Sequence, residues 1–235
     1  MAGSAARKAI KTAVFLACLI PVGWLTYGAL NNALGANPVK AIIHGTGVWT
    51  LRLLLLTLLA TPLRRLTGWA WPIAVRRMLG LFAFFYAVLH LFTYLLLDQS
   101  FDGAAIVHDV IKRPFITVGM LAFALLVPLA ATSTNAMVRR LGRNWKRLHR
   151  LAYVIPVLGV LHYYWLVKAD VRAPLAYGLL VAILLGWRLR YWFAVHRSVA
   201  AGRAVEQTGR RPQGPNTAAP NPTGIRAPRR LPQGH

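Results

Sequence analysis

Six apolar runs constrain this chain more than any other feature, at about residues 13–30, 42–62, 78–97, 115–132, 149–167 and 174–194. Each is close to the ~20 residues that an α-helix needs to cross ~30 Å of hydrocarbon at ~1.5 Å per residue. Arg52 interrupts the second run. The first follows Arg7, Lys8 and Lys11 and precedes the small residues of "GALNNALGA". It reads as an uncleaved first helix, because an even helix count fits the charges.

The chain is 57% hydrophobic yet carries a formal net charge of +23. A soluble chain this basic would read as a nucleic-acid binder. Here the basic residues lie between apolar runs, so no nucleic-acid partner is expected. With the N-terminus inside, the inner segments hold Arg7, Lys8 and Lys11, then Arg64, Arg65, Arg76 and Arg77, then Arg139, Arg140, Arg143, Lys146, Arg147 and Arg150. The outer loops hold only Lys40, Lys112, Arg113, Lys168 and Arg172, together with Asp98, Asp102, Asp109 and Asp170. This is the positive-inside pattern. Trp24, Trp145, Trp165 and Trp187 fall near run ends, as an interfacial belt would place them. The expected fold is an all-α integral membrane protein, a bundle of six transmembrane helices with both termini cytoplasmic. It is expected to be multi-pass, in contact with membrane lipid, in a bacterial inner membrane. Residues 1–12 form a cytoplasmic N-terminal segment and 13–196 the membrane domain. Residues 197–235 are rich in Pro, Gly and Arg and read as a disordered cytoplasmic tail.

One cysteine, Cys18, excludes an intramolecular disulfide and any multi-cysteine cluster. No dinucleotide fingerprint, phosphate-binding loop, serine elbow or Cys/His metal spacing occurs. No internal repeat is evident. Chemistry in such a chain must use the membrane helices and a bound cofactor.

The histidines carry the chemistry. His108, His196 and His235 sit in a loop, an inner helix end and the tail, where solvation accounts for them. His90 lies 13 residues after Arg77, and His162 lies 12 residues after Arg150. Both helices run from inside to outside, so the two histidines share a depth of ~18–20 Å from the inner charge layer. Two equally deep imidazoles on different helices suit axial ligation of one b-type haem. Ala87, Ala83 and Gly80 precede His90 on its face, and Gly159, Ile155 and Ala152 precede His162, leaving room for a flat macrocycle. Helix packing is the alternative use of such small residues. His149 is ~20 Å of helical rise from His162 and cannot share its iron. It is a candidate for a second haem, a flavin or a quinone headgroup, or an ordinary interfacial histidine. His44 heads the second helix in "IIHGTG", and Arg52 lies eight residues further in. An intramembrane arginine is a functional candidate, as a partner for a haem propionate or a quinone oxygen. Snorkelling is its other use.

The blocks "LGANPVKAIIHGTG", "TLLATPLRR", "RRMLGLFAFFYAVLHLFTY", "KRPFITVGMLAFALLVPLAATSTNAM" and "RRLGRNWKRLHRLAYVIPVLGVLHYYWLVK" resemble the MsrQ family. These are haem-binding membrane subunits of the periplasmic protein-methionine-sulfoxide reductase system, related to ferric reductases and to NADPH-oxidase membrane domains. The resemblance covers roughly residues 20–195. It implies that the haem ligands fall on His90, His149 and His162, with haem b as cofactor and FMN associated. It also implies electrons drawn from the quinone pool and passed to MsrP, a periplasmic molybdenum-cofactor reductase that repairs oxidised methionines. The chain would then be an electron-transfer subunit. Oxidase-type relatives carry a second histidine on the third helix, one haem level lower, and this sequence has none. The competing readings are a stand-alone ferric or cupric reductase and a transporter with structural histidines.

Overall fold

Proline, asparagine and glycine punctuate the chain where its helices begin and end. The computed structural model describes residues 4–167 and 169–209, with side chains for 5–167 and 169–194. Lys168 and residues 210–235 of the expected 197–235 tail, including His235, lie outside the described residues, as does the His196 side chain, whereas 197–209 continue the last helix. Helix α1 (Ser4–Leu30) is followed by α2 (Pro38–Thr67), which opens on Pro38 behind Asn37, whose side chain accepts from the Lys40 amide at 2.9 Å. Proline suits this first turn because its missing N–H would be unpaired there anyway. Gly68, at φ 73°, ends α2 in the left-handed conformation, and its N–H closes on the Arg64 carbonyl.

Helix α3 (Trp71–Thr93) runs on through a wider π turn at Tyr94–Asp98. Asp102 then caps a short helix, α4 (Gly103–Lys112), accepting from the Ala104 and Ala105 amides. Helix α5 (Pro114–Ala131) leads to two short helices, α6 (Asn135–Leu141) and α7 (Arg143–Leu148). A 3-10 segment at His149–Tyr153 feeds α8 (Val154–Leu166), and α9 (Arg172–Gly209) follows. The 3-10 stretch has a local cause. Pro156 has no N–H for the Ala152 carbonyl and its ring crowds that carbonyl, so the turn ahead of it tightens.

The apolar runs thus appear as α1, α2, α3, α5, α9 and the 3-10 segment with α8. Among the described residues, five helices are long and apolar enough to cross a membrane: α1, α2, α3 with its π turn, α5 and the Arg172–Ala194 part of α9. The short helices α4, α6 and α7 fall in segments read from the sequence as loops.

The described residues up to Tyr191 form one compact unit, and those from Trp192 onward a second. Within the first, α2 packs along α3, and α5 along α8. The core gathers Leu53 and Leu54 of α2, Val75, Leu79, Phe82, Ala83 and Tyr86 of α3, Leu126 and Leu129 of α5, and Ile155 of α8. Outside it Phe15, Ile20, Leu81, Phe85, Leu121, Leu179 and Ile183 are exposed. An outward-facing apolar belt of this kind belongs against lipid.

Tyr86 holds α1 to this core. Its hydroxyl accepts from the Val22 amide at 3.0 Å and donates to the Cys18 carbonyl at 2.7 Å. In an unbroken helix that amide would bond that carbonyl directly. Beside Pro21 the phenol hydroxyl is inserted into the ladder instead, which is a recognised origin of helix kinks.

Candidate functional site

His90 on α3 and His162 on α8 come together, with ring centres 6.0 Å apart and planes at 87°. His90 Nδ1 lies 2.8 Å from the Ile43 carbonyl oxygen on α2, and His162 Nδ1 lies 2.6 Å from the Phe115 carbonyl oxygen on α5. A carbonyl only accepts, so each Nδ1 carries the proton and donates. The lone pair of each ring is then on Nε2, the form that ligates a metal, with the backbone as the orienting partner. One iron bonded at about 2 Å to each of two imidazoles requires ring centres about 6 Å apart. The residues present therefore fit a haem iron with two histidine ligands.

The two halves of this arrangement are built on one plan. A shift of 72 residues carries Ile43, Gly47 and His90 onto Phe115, Gly119 and His162. Both carbonyl-to-histidine separations are 47 residues. Glycine gives a close approach at both backing positions, the tighter one at Gly119. A Cβ on Gly47 would stand 3.0 Å from His90 Nδ1, and one on Gly119 would stand 2.8 Å from His162 Nδ1. The α2–α3 and α5–α8 pairs thus share this three-position spacing. The tripeptide "VLH" recurs at 88–90 and at 160–162.

Of the small residues before each histidine, three fit the helix-packing alternative. Ala83 is fully buried in the core, and Gly80 and Gly159 look toward Thr57 and Leu51 of α2. That stripe serves helix packing.

His149 stands apart from the pair, in the 3-10 segment after α7. Its ring stacks on Trp145 at 3.9 Å and 23°, and Nδ1 lies 3.2 Å from the Trp145 carbonyl oxygen. Its Nε2 is buried without a hydrogen-bond partner. A buried unpaired imidazole nitrogen is costly, and a ligand there would relieve it.

His44 and Arg52 are both exposed on α2 and form part of a third cluster. Arg52 Nε donates to the Tyr177 hydroxyl of α9 at 2.9 Å, and its guanidinium lies 4.8 Å from the Trp49 ring centre. The Tyr163 ring is 6.2 Å from that of Tyr177 and 5.6 Å from that of His44. Sequence reasoning missed Tyr163, Tyr177, Gly47 and Gly119. The paired glycines had a signal, each lying 43 residues before a deep histidine. The tyrosines had none, since α8 and α9 reach α2 only through the fold.

Residues 46–160 match the family described as ferric reductase like transmembrane component, a stretch that ends just before His162. Over 184 residues the chain is 53% identical to the protein-methionine-sulfoxide reductase heme-binding subunit MsrQ of Azospira oryzae, covering 77% of this chain and 79% of that one. It is 54% identical over 206 residues to the protein of the same name from Herminiimonas arsenicoxydans, covering 85% and 94%. With that of Ralstonia nicotianae it shares 50% over 202 residues, covering 84% and 93%. At such identity over most of both lengths, with a histidine pair whose geometry fits a haem iron, the chain belongs to the MsrQ family.

Proposed function

We propose that this chain is the haem-binding, electron-transferring membrane subunit of a protein-methionine-sulfoxide reductase. His90 and His162 are the axial ligands of a b-type haem, and their matched Nδ1–H bonds to the Ile43 and Phe115 carbonyls carry the reading. When bound, the haem supplies one-electron chemistry. The carbonyl bonds keep both imidazoles in the ligating tautomer, and Gly47 and Gly119 let α2 and α5 approach closely enough to make them. His149 is the position for a second haem, toward the inner end of the electron path. FMN, the flavin associated with this family, has no assigned residues.

The membrane crossing is six-fold. The 3-10 segment and α8 together give about 30 Å, from five residues at ~2.0 Å and thirteen at ~1.5 Å, enough for the sixth span. Both termini then face the cytoplasm of a bacterial inner membrane, as the loop charges require. The histidine pair lies in the outer half of the bilayer. Electrons enter from quinol in the lipid and leave to a periplasmic molybdopterin reductase resembling MsrP. The sulfoxide oxygen is removed on that partner.

The test uses membranes containing the protein, a reduced quinol analogue and a purified periplasmic reductase partner. The haem should reduce with quinol and reoxidise only when partner and sulfoxide are both present. Equally fast reoxidation by a ferric chelate without partner would replace this reading with that of a stand-alone ferric reductase.

A further inference from the structure

Arg52 sits where a guanidinium is costly. It shares an exposed stripe of α2 with Leu56 and Leu59, at i, i+4 and i+7, and in a membrane that stripe meets lipid. It lies five residues inward of Gly47, the glycine against His90, and so about 7–8 Å deeper than the ligand level. A charge at such a depth is a functional site by default. Among the described residues no carboxylate pairs with it. The one ion pair there joins Arg113 to Asp109. Of its five N–H donors, the Nε one is used, on Tyr177. Tyr177 accepts that bond and keeps its own hydroxyl proton to donate. Trp49, under the guanidinium, also lines a crevice of about 320 Å³ between α1 and α2, walled by Ile20, Pro21, Trp24 and Leu25.

The vacant donors need oxygen acceptors, and the acceptor must reach them through hydrocarbon. Phospholipid phosphates stay at the interface, so the ligand must itself be lipid-soluble. We propose that Arg52 and Tyr177 form the headgroup site at which a quinol is oxidised, with the Trp49 crevice taking its apolar part. This rests on the haem and quinol reading above and adds the site. Arg52 and Tyr177 donate to a quinol oxygen, whose partial negative charge grows as its proton leaves. One quinol reduces two ferric haem equivalents in successive one-electron steps, giving quinone, two ferrous equivalents and two protons. Tyr163, adjacent in sequence to His162, links the site to the ligand helix. The protons leave past Tyr163 and His44 toward the outer face.

The experiment uses the full-length, haem-loaded protein in lipid nanodiscs with a short-chain ubiquinol. Haem reduction is followed by stopped flow, with dithionite reduction and a redox titration as controls. Arg52→Gln and Tyr177→Phe should each slow quinol-driven reduction at least tenfold, while haem content, the dithionite-reduced spectrum and the haem potential stay as in the wild type. Arg52→Lys should restore part of the rate. Wild-type quinol rates in both variants would overturn the site while leaving quinol as donor. A lost haem or shifted potential in Arg52→Gln, with quinol rates normal in Tyr177→Phe, would overturn it in favour of a haem propionate as the arginine's partner. Failure of quinol to reduce even the wild-type haem would overturn both the donor reading and this site.

Discussion

The His90 and His162 rings stand 6.0 Å apart, each held by its Nδ1 to a carbonyl 47 residues earlier in the chain. Neither histidine depends on a charged or polar side chain for its orientation. The backbone of a facing helix supplies it, and backbone cannot be removed by point substitution. Substitutions in this site therefore act on the imidazole itself or on the closeness of the helices.

His90→Ala and His162→Ala should each abolish the low-spin, bis-imidazole haem spectrum, since six-coordinate iron needs both rings. His44→Ala and His108→Ala should keep it. Optical spectra with a pyridine haemochrome assay decide the matter, and a normal spectrum in both deep-histidine variants would sink the ligand assignment.

Gly119→Ala should lower haem occupancy severalfold, because its Cβ would stand 2.8 Å from His162 Nδ1 and displace the ring or part α5 from α8. Gly47→Ala should act in the same direction but less, at 3.0 Å. Gly186→Ala meets nothing within 4 Å and serves as the control. Equal haem-to-protein ratios in all three would show that helix approach does not govern the site.

His149→Ala should leave the low-spin signal of the deep pair and remove only haem in excess of one per chain. The observation behind this is the buried, unpartnered Nε2. Metal-to-protein stoichiometry checks it. Loss of the deep pair's own signal would contradict the separation of the two positions.

Tyr86→Phe leaves the Val22 amide and the Cys18 carbonyl without their bridge. A buried donor or acceptor left unpaired costs about 1–3 kcal/mol, so thermal stability in detergent should fall. The haem spectrum at low temperature should persist, because α1 contributes no ligand. An unchanged melting temperature would mean that water or a direct amide–carbonyl bond replaces the hydroxyl.

Reporter fusions after Ala33, Asp102 and Asp170 should read as outside, and those after Thr67 and Arg143 as inside. An inside signal at Asp170 would mean that α8, with only thirteen helical residues, does not complete a crossing.

The apolar runs and the shared level of His90 and His162 along their helices were legible in the sequence for a simple reason. Hydrocarbon demands a length, and counting along a helix from its charged end gives the level of a histidine; each is a local rule written in neighbouring residues. Arg52 was conspicuous for the same reason, as a charge in an apolar run. Relations between helices were not legible. That α2 backs His90 and α5 backs His162 comes from backbone carbonyls, which have no residue identity to read. The tie between Arg52 and Tyr177 joins helices 125 residues apart along the chain. The small residues before each histidine looked alike for packing or for a cofactor, and only the tertiary structure turned Gly80 and Gly159 toward α2. Sequence determined which segments are long and apolar enough to enter a membrane, and which polar groups interrupt them. Tertiary packing decided which groups meet there, because in lipid that choice rests on close backbone approach and on hydrogen bonds between helices.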